Sequence, residues 1–213
     1  MARIVIVFAS HLEAQGFEIP PACEHRVEFL VSGVGAYAMQ YALHDYCMHH
    51  SPEIIVCAGI AGAFSQEYQI GQIVALTSDC FADVGVISGT TFQSIFDMKL
   101  AHAEQTPFVH GRLPITCAPL RHSLPQVSGI TVNTITASEP MRDLWRKTYN
   151  PAVETMEGAA VHYVALRQNL PCLHLRAISN MVGERNKDKW NIPLALENLY
   201  NELRNVLIQN LVQ

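Results

Sequence analysis

Six short runs of this chain are apolar almost without a break: RIVIVFAS from Arg3, RVEFLVSG from Arg26, EIIVCAGI from Glu53, GQIVALTS from Gly71, GITVNTITAS from Gly129 and LPCLHLRAIS from Leu170. A strand with one wet face alternates polar and apolar residues, whereas a strand covered on both faces does not. These six therefore read as buried strands that need a layer on either side. The covering material lies between them, in AYAMQYALHDYCMHH, EPMRDLWRKTY and MEGAAVHYVALRQN, all of helical pattern. Near the C-terminus Leu196, Leu199, Leu203, Val206, Leu207 and Leu211 recur on one helical face, with Pro193 suited to the first turn. Strand and helix in alternation imply an α/β fold: a single-domain three-layer sandwich over residues 1–213, with a mixed, mostly parallel sheet flanked by helices. Residues 88–125 are poorest in pattern and read as loops.

Composition narrows the function. Apolar residues make up 49% of the chain and charged ones 15%, enough for a sizeable core and too little charge for disorder. A net charge of −5 and a pI near 6.0 argue against an electrostatic grip on nucleic acid or anionic membranes, so a small molecule is the expected ligand. Cys23, Cys47, Cys57, Cys80, Cys117 and Cys172 include no C-x-x-C pair. They read as core hydrophobes in a reducing compartment, with no metal site expected. The apolar run after Arg3 is short for a secretory signal, and no segment approaches the ~18 apolar residues of a spanning helix. The expected location is the cytoplasm.

In such sheets ligands sit beyond the carboxyl ends of the strands. The residues there are Ser10 to Glu13, Ser32 to Gly35, Gly59 to Gly62, Thr136 to Ser138, Met156 with Glu157, and Ser179 with Asn180. SGVGAYA has the G-x-G-x-x-A form of a dinucleotide turn. Yet Glu53, the acid at about the right distance, begins its strand rather than ending it, so the glycines read as a tight turn. A non-catalytic nucleotide binder built on that turn is the competing class; turnover of a nucleoside separates the two. His49 and His50 fit a helix C-terminus, where imidazolium is favourable with the dipole. His162 reads as a packed core histidine. No G-x-S-x-G elbow or P-loop occurs. Glu13 and Glu157 remain, each close to a helix start. Capping is the simple role for either alone; together at one sheet edge they point to one carboxylate activating water and another gripping a polyol.

Several stretches resemble the nucleoside phosphorylase and nucleosidase superfamily over nearly the whole chain: IVIVFASHLEA, LVSGVGAYAMQYAL, VCAGIAGAF, IGQIVAL, VETMEGAAVHYVA and LRAISN. Within it FADVG, TVNTITAS, ETMEGAAV and RAISNMVGERNKDKWNIPLALENL are similar to the futalosine hydrolase family, whose members remove hypoxanthine from futalosine in an alternative menaquinone pathway. The resemblance implies that Glu13 activates water, that Met156 packs near the ribose and that Glu157 binds its hydroxyls. Asn180 stands where adenine-specific relatives carry an aspartate. An amide cannot act as an acid, but it can donate to a 6-oxo group and accept from a protonated N7, which favours hypoxanthine over adenine. Gly59 and Ile60 are expected at the substrate, Ile60 where relatives often place a small polar residue, and Thr136 and Ser138 at the base or tail. With no Arg or Lys in the loop after the first strand, water is expected rather than phosphate as nucleophile; purine phosphorolysis and adenine-type nucleosidase activity are the alternatives. Arg185, Lys187 and Lys189 are candidates for a carboxylate on the substrate's tail. No cofactor is implied, and a homodimer or larger assembly is expected.

Overall fold

In β1 (Arg3–Phe8), Ile4, Ile6 and Phe8 face one way and Val5 and Val7 the other, and all five are buried. That placement explains why the run reads as continuously apolar. The structure is a computed structural model in which residues 1–183 and 187–209 are described. After β1 the chain forms α1 (His11–Ala14), β2 (Arg26–Val31), α2 (Ala36–His50), β3 (Ile54–Ala63) and β4 (Ile73–Asp79). A hairpin follows, β5 (Gly85–Ser88) and β6 (Thr91–Ser94), then the two-residue β7 (Leu113–Pro114) and β8 (Gln126–Thr131). The last third holds α3 (Glu139–Tyr149), β9 (Val153–Thr155), α4 (Gly158–Gln168), β10 (Cys172–Met181) and α5 (Ile192–Ile208).

The expected α/β architecture is present. Strand pairs β1–β2, β1–β3, β3–β10, β4–β8 and β8–β9 are parallel, while β4–β10, β3–β9 and β4–β7 are antiparallel. Helix α5 covers one face with Leu196, Leu199, Leu203, Val206 and Leu207. Each such side chain, fully buried, is worth roughly 1.5–3 kcal/mol. Leu211, which shares their spacing, lies outside the described residues. Helices α2 and α4 cover the other face through Met39, Leu43, Val161 and Val164. His49 accepts no site role: its ring meets the Asp45 carbonyl at 2.9 Å, and His50 stacks on Tyr46.

One feature was not legible in the periodicity. Strand β3 changes partners along its length, pairing with β1 from Ile54 to Cys57 and with β9 at Gly62 and Ala63, while β10 runs along its other edge. The pairs β3–β10, β10–β4, β4–β8, β8–β9 and β9–β3 thereby close a ring, with β1 and β2 as an extension. The run GITVNTITAS yields a strand only as far as Thr131. Beyond it the partner strand β9 ends at Thr155, and the Asn133 backbone N–H turns instead to Asp83 at 2.6 Å.

Candidate active site

Beyond Cys57, β3 runs on without β1 beside it. Ile55 donates its N–H to Pro171 on the β10 side, so by strand alternation the Ile60 N–H points to the side β1 has vacated. Glu13 meets it there, Oε1 accepting at 3.1 Å. Its other oxygen, Oε2, accepts from the Ser10 N–H at 3.1 Å and hydroxyl at 3.0 Å, completing a capping box for the short α1. Capping and site placement are thus both true of Glu13, one oxygen to each. The Tyr200 hydroxyl from α5 donates to the Glu13 carbonyl at 3.0 Å and fixes the turn from the far side.

Glu157 occupies the N-cap position of α4 but makes no side-chain cap bond. Two threonines take that duty: Thr155 Oγ1 accepts from the Gly158 N–H at 3.0 Å, and Thr131 Oγ1 from the Ala159 N–H at 2.7 Å. The Glu157 carboxylate is released to the cavity side, where Oε1 accepts from the Gly35 N–H at 2.9 Å. Gly33 and Gly35 adopt φ of 91° and 99°, open to glycine at little cost. The turn that resembles a dinucleotide motif therefore presents an N–H to a carboxylate. Burial pushes the Glu157 carboxyl above its usual range, Arg176 and the Gly35 N–H pull it down, and Glu13 pushes it up.

Arg176 was hidden inside an apolar run and is 1% exposed. Its guanidinium lies 3.7 Å from Glu157 Oε2, and its Nε donates to His174 Nε2 at 2.8 Å. His174 Nδ1 meets His162 Nε2 at 2.9 Å, and His162 Nδ1 meets the Leu113 carbonyl at 2.9 Å. A carbonyl only accepts and an arginine only donates, so the proton positions follow: His162 carries its proton on Nδ1 and His174 on Nδ1. Both rings are neutral, His162 pushed down to about 4 by burial and His174 well below the usual imidazole range, by burial first and then by Arg176. Gly59 has no room for a side chain, because a Cβ there would strike Arg176 and come within 2.7 Å of Glu13 Oε1. It sits behind the site, between the two groups it must accommodate.

A cavity opens over these residues. Ser10, Glu13, Val34, Ile60, Met156 and Glu157 line it, together with Gly62, Ile135, Glu154, Ser179, Asn180 and Trp190. Asn180 is buried. Its Nδ2 donates to the Met181 carbonyl at 3.1 Å and its Oδ1 accepts from Ser179 Oγ at 2.8 Å, which leaves one amide donor and one lone pair unused by these two bonds. Among the described residues the lining holds no Lys or Arg. Of the other expected site residues, Thr136 is buried behind the wall, bonded to Glu154, and Ser138 is exposed at the start of α3 and outside the lining. Lys189 is in the single turn Lys187–Lys189; Arg185 and the Lys187 side chain lie outside what is described. Sequence reasoning missed Arg176, Glu154 and Trp190. Only Arg176 carried a signal, a cation inside a buried strand, which requires a partner.

Residues 22–208 match the family model described as the phosphorylase superfamily. A futalosine hydrolase of Acidothermus cellulolyticus is 34% identical over 81% of this chain and 71% of its own length. Two solved Helicobacter pylori structures share the fold. A 5'-methylthioadenosine/S-adenosylhomocysteine nucleosidase gives a TM-score of 0.79 at 16% identity, covering 97% of this chain and 98% of its own. A futalosine hydrolase gives 0.79 at 15% identity, with 97% of each chain covered. The backbone does not separate those two activities, since both superpose equally well. By family model and by sequence, the chain belongs to the phosphorylase superfamily and groups within it with the futalosine hydrolases.

Proposed function

We propose that the chain hydrolyses the N-ribosidic bond of futalosine, releasing hypoxanthine and the dehypoxanthinyl product, a step of menaquinone biosynthesis. The observation that carries the reading is the arrangement of Glu13, Glu157 and Asn180 around one cavity in a chain that groups with futalosine hydrolases. Glu157 binds the ribose hydroxyls through charge-assisted bonds and fixes the sugar. Met156 packs beside it. Departure of the base leaves oxocarbenium character on the sugar, as in glycoside cleavage generally. The C1'–N9 bond breaks with its electrons going to the purine, and a water oxygen bonds to C1' while Glu13 takes its proton. The departing purine anion takes a proton from solvent water at N7; the free donor of Asn180 meets the 6-oxo oxygen and its free lone pair accepts that N7–H.

Water is favoured over phosphate because the described lining offers an anion no cationic side chain and the Ile60 N–H is already bonded to Glu13. Adenine-type nucleosidase activity has the backbone match in its favour, but Asn180 would set a donor against the 6-amino group. The test is purine release from futalosine, its 6-amino analogue, inosine and methylthioadenosine, each with and without phosphate. Phosphate-independent hypoxanthine release from futalosine, with little from the adenine compounds, is the expected result; release only with phosphate would overturn the hydrolase reading. The reading also includes a homodimer or larger assembly in the cytoplasm. Val34, Tyr37, Tyr41 and Met48, exposed along and just before α2, support a covered face. A solution mass equal to one chain at micromolar concentration would exclude it.

A further inference from the structure

Two carboxylates share the corner between β9 and α4, and the reading above uses only Glu157. Glu154 is 7% exposed and lines the same cavity. Thr136 supplies a donor to each of its oxygens, the backbone N–H to Oε1 at 2.9 Å and the hydroxyl to Oε2. Trp145 Nε1 donates to that hydroxyl oxygen at 3.1 Å and fills one of its lone pairs, which turns the hydroxyl proton toward the carboxylate. Both Glu154 oxygens thus face donors, which favour the ionised form against the burial that pushes its carboxyl above the usual range. No ion pair to Glu154 occurs among the described residues. A buried carboxylate held by two neutral donors, with lone pairs left over at a cavity wall, is matched by a ligand N–H.

The strand register says which part of a ligand that is. Gly62 pairs with Glu154 on β9 and with Asn180 on β10. Directly paired residues project on the same face, so Glu154 and Asn180 flank a position with no side chain. Adjacent strands lie about 4.8 Å apart, which sets the two backbones about 10 Å apart across Gly62. A Cβ on Gly62 would approach Asn180 Nδ2 to 3.1 Å, so the bare glycine keeps the gap open. A flat ligand edge entering this gap has an amide on one side and a carboxylate on the other.

We propose that Glu154 is a specificity residue which, together with Asn180, selects a 6-oxopurine: Glu154 accepts the N1–H of the base while Asn180 donates to O6. A 6-aminopurine carries a lone pair at N1 and a donor at position 6. It would meet the carboxylate with a lone pair and the amide with a donor, two mismatches in a buried site, each selected against because a buried polar group is left unpaired. Thr136 then acts through Glu154 as a positioning residue, which gives it a part in base recognition without lining the cavity.

This inference rests on the nucleosidase reading, and two measurements separate their failures. In the first, Glu154→Gln is compared with wild type for kcat/KM on futalosine and on its 6-amino analogue. The glutamine is nearly isosteric and can turn an N–H toward N1, so the 6-oxo to 6-amino preference should fall by about tenfold or more. An unchanged preference, whatever the absolute rates, overturns the proposal, because a purely structural Glu154 would affect both substrates alike. In the second, wild-type enzyme is inhibited with hypoxanthine, 1-methylhypoxanthine and adenine, which needs no variant to fold. Hypoxanthine should compete best. Equal competition by 1-methylhypoxanthine, which has no N1–H, overturns the role of Glu154 while futalosine cleavage stands. Cleavage of the 6-amino substrate alone by wild type would remove the functional reading itself.

Discussion

Glu13→Gln is expected to lower kcat on futalosine by ~10²–10⁴-fold, the range of general-base assistance, with little change in KM. The amide keeps an oxygen for the Ile60 N–H but cannot accept both that bond and the Ser10 N–H, which Oε2 accepts at 3.1 Å. Stability should therefore fall as well, by about 1–3 kcal/mol for the backbone donor left unpaired. Single-turnover kinetics with urea unfolding separates the two effects: the rate loss must persist under conditions where the variant is fully folded. A variant that turns over at near wild-type rate would remove Glu13 from the chemistry and leave it only its cap.

Arg176→Met is expected to have the largest effect on the fold. Breaking a buried ion pair from one side strands the other charge, at a cost of about 3–5 kcal/mol. Here the stranded groups are Glu157 and the Nε2 lone pair of His174, which loses its 2.8 Å donor. The pH dependence has a definite sign. Burial raises the Glu157 carboxyl and Arg176 holds it down, so removing Arg176 moves it further up. A variant that folds should lose activity on the acid side at higher pH than wild type. Adding Glu157→Gln to Arg176→Met should restore part of the stability and none of the activity. An unchanged urea midpoint in the single variant would mean that Glu157 finds its compensation elsewhere.

Much of this was readable in the amino-acid order. Helices α2 and α3 span the same residues as their periodic segments, because Gly35 precedes the first and Ser138 the second, and Ser51 and Asn150 leave the helical region at φ of 48° and 45°. The carboxyl-end rule brought Glu13, Glu157 and Asn180 to one edge. The rest depended on pairings between segments far apart in the chain. Glu154 stands three residues before Glu157 in sequence, yet which wall it faces follows from its register with Gly62. Thr136 and Ser138 looked equivalent after an apolar run; the early end of β8 buries one behind Glu154 and exposes the other. The β5–β6 hairpin gave little signal because its first strand is exposed throughout.

The closed ring has a consequence for how the active protein comes into being. Ile55 meets Cys172, and Gly62 meets Glu154, only when segments from opposite halves of the chain come together. Such long-range closures are entropically costly and slow compared with local helix formation. Every proposed site residue depends on them: Glu13 leans on Ile60 of β3, Asn180 sits on β10 and Glu157 follows β9. A chain with its helices formed and its ring still open has the sequence of the site without the site. The site is therefore complete only once the ring has closed.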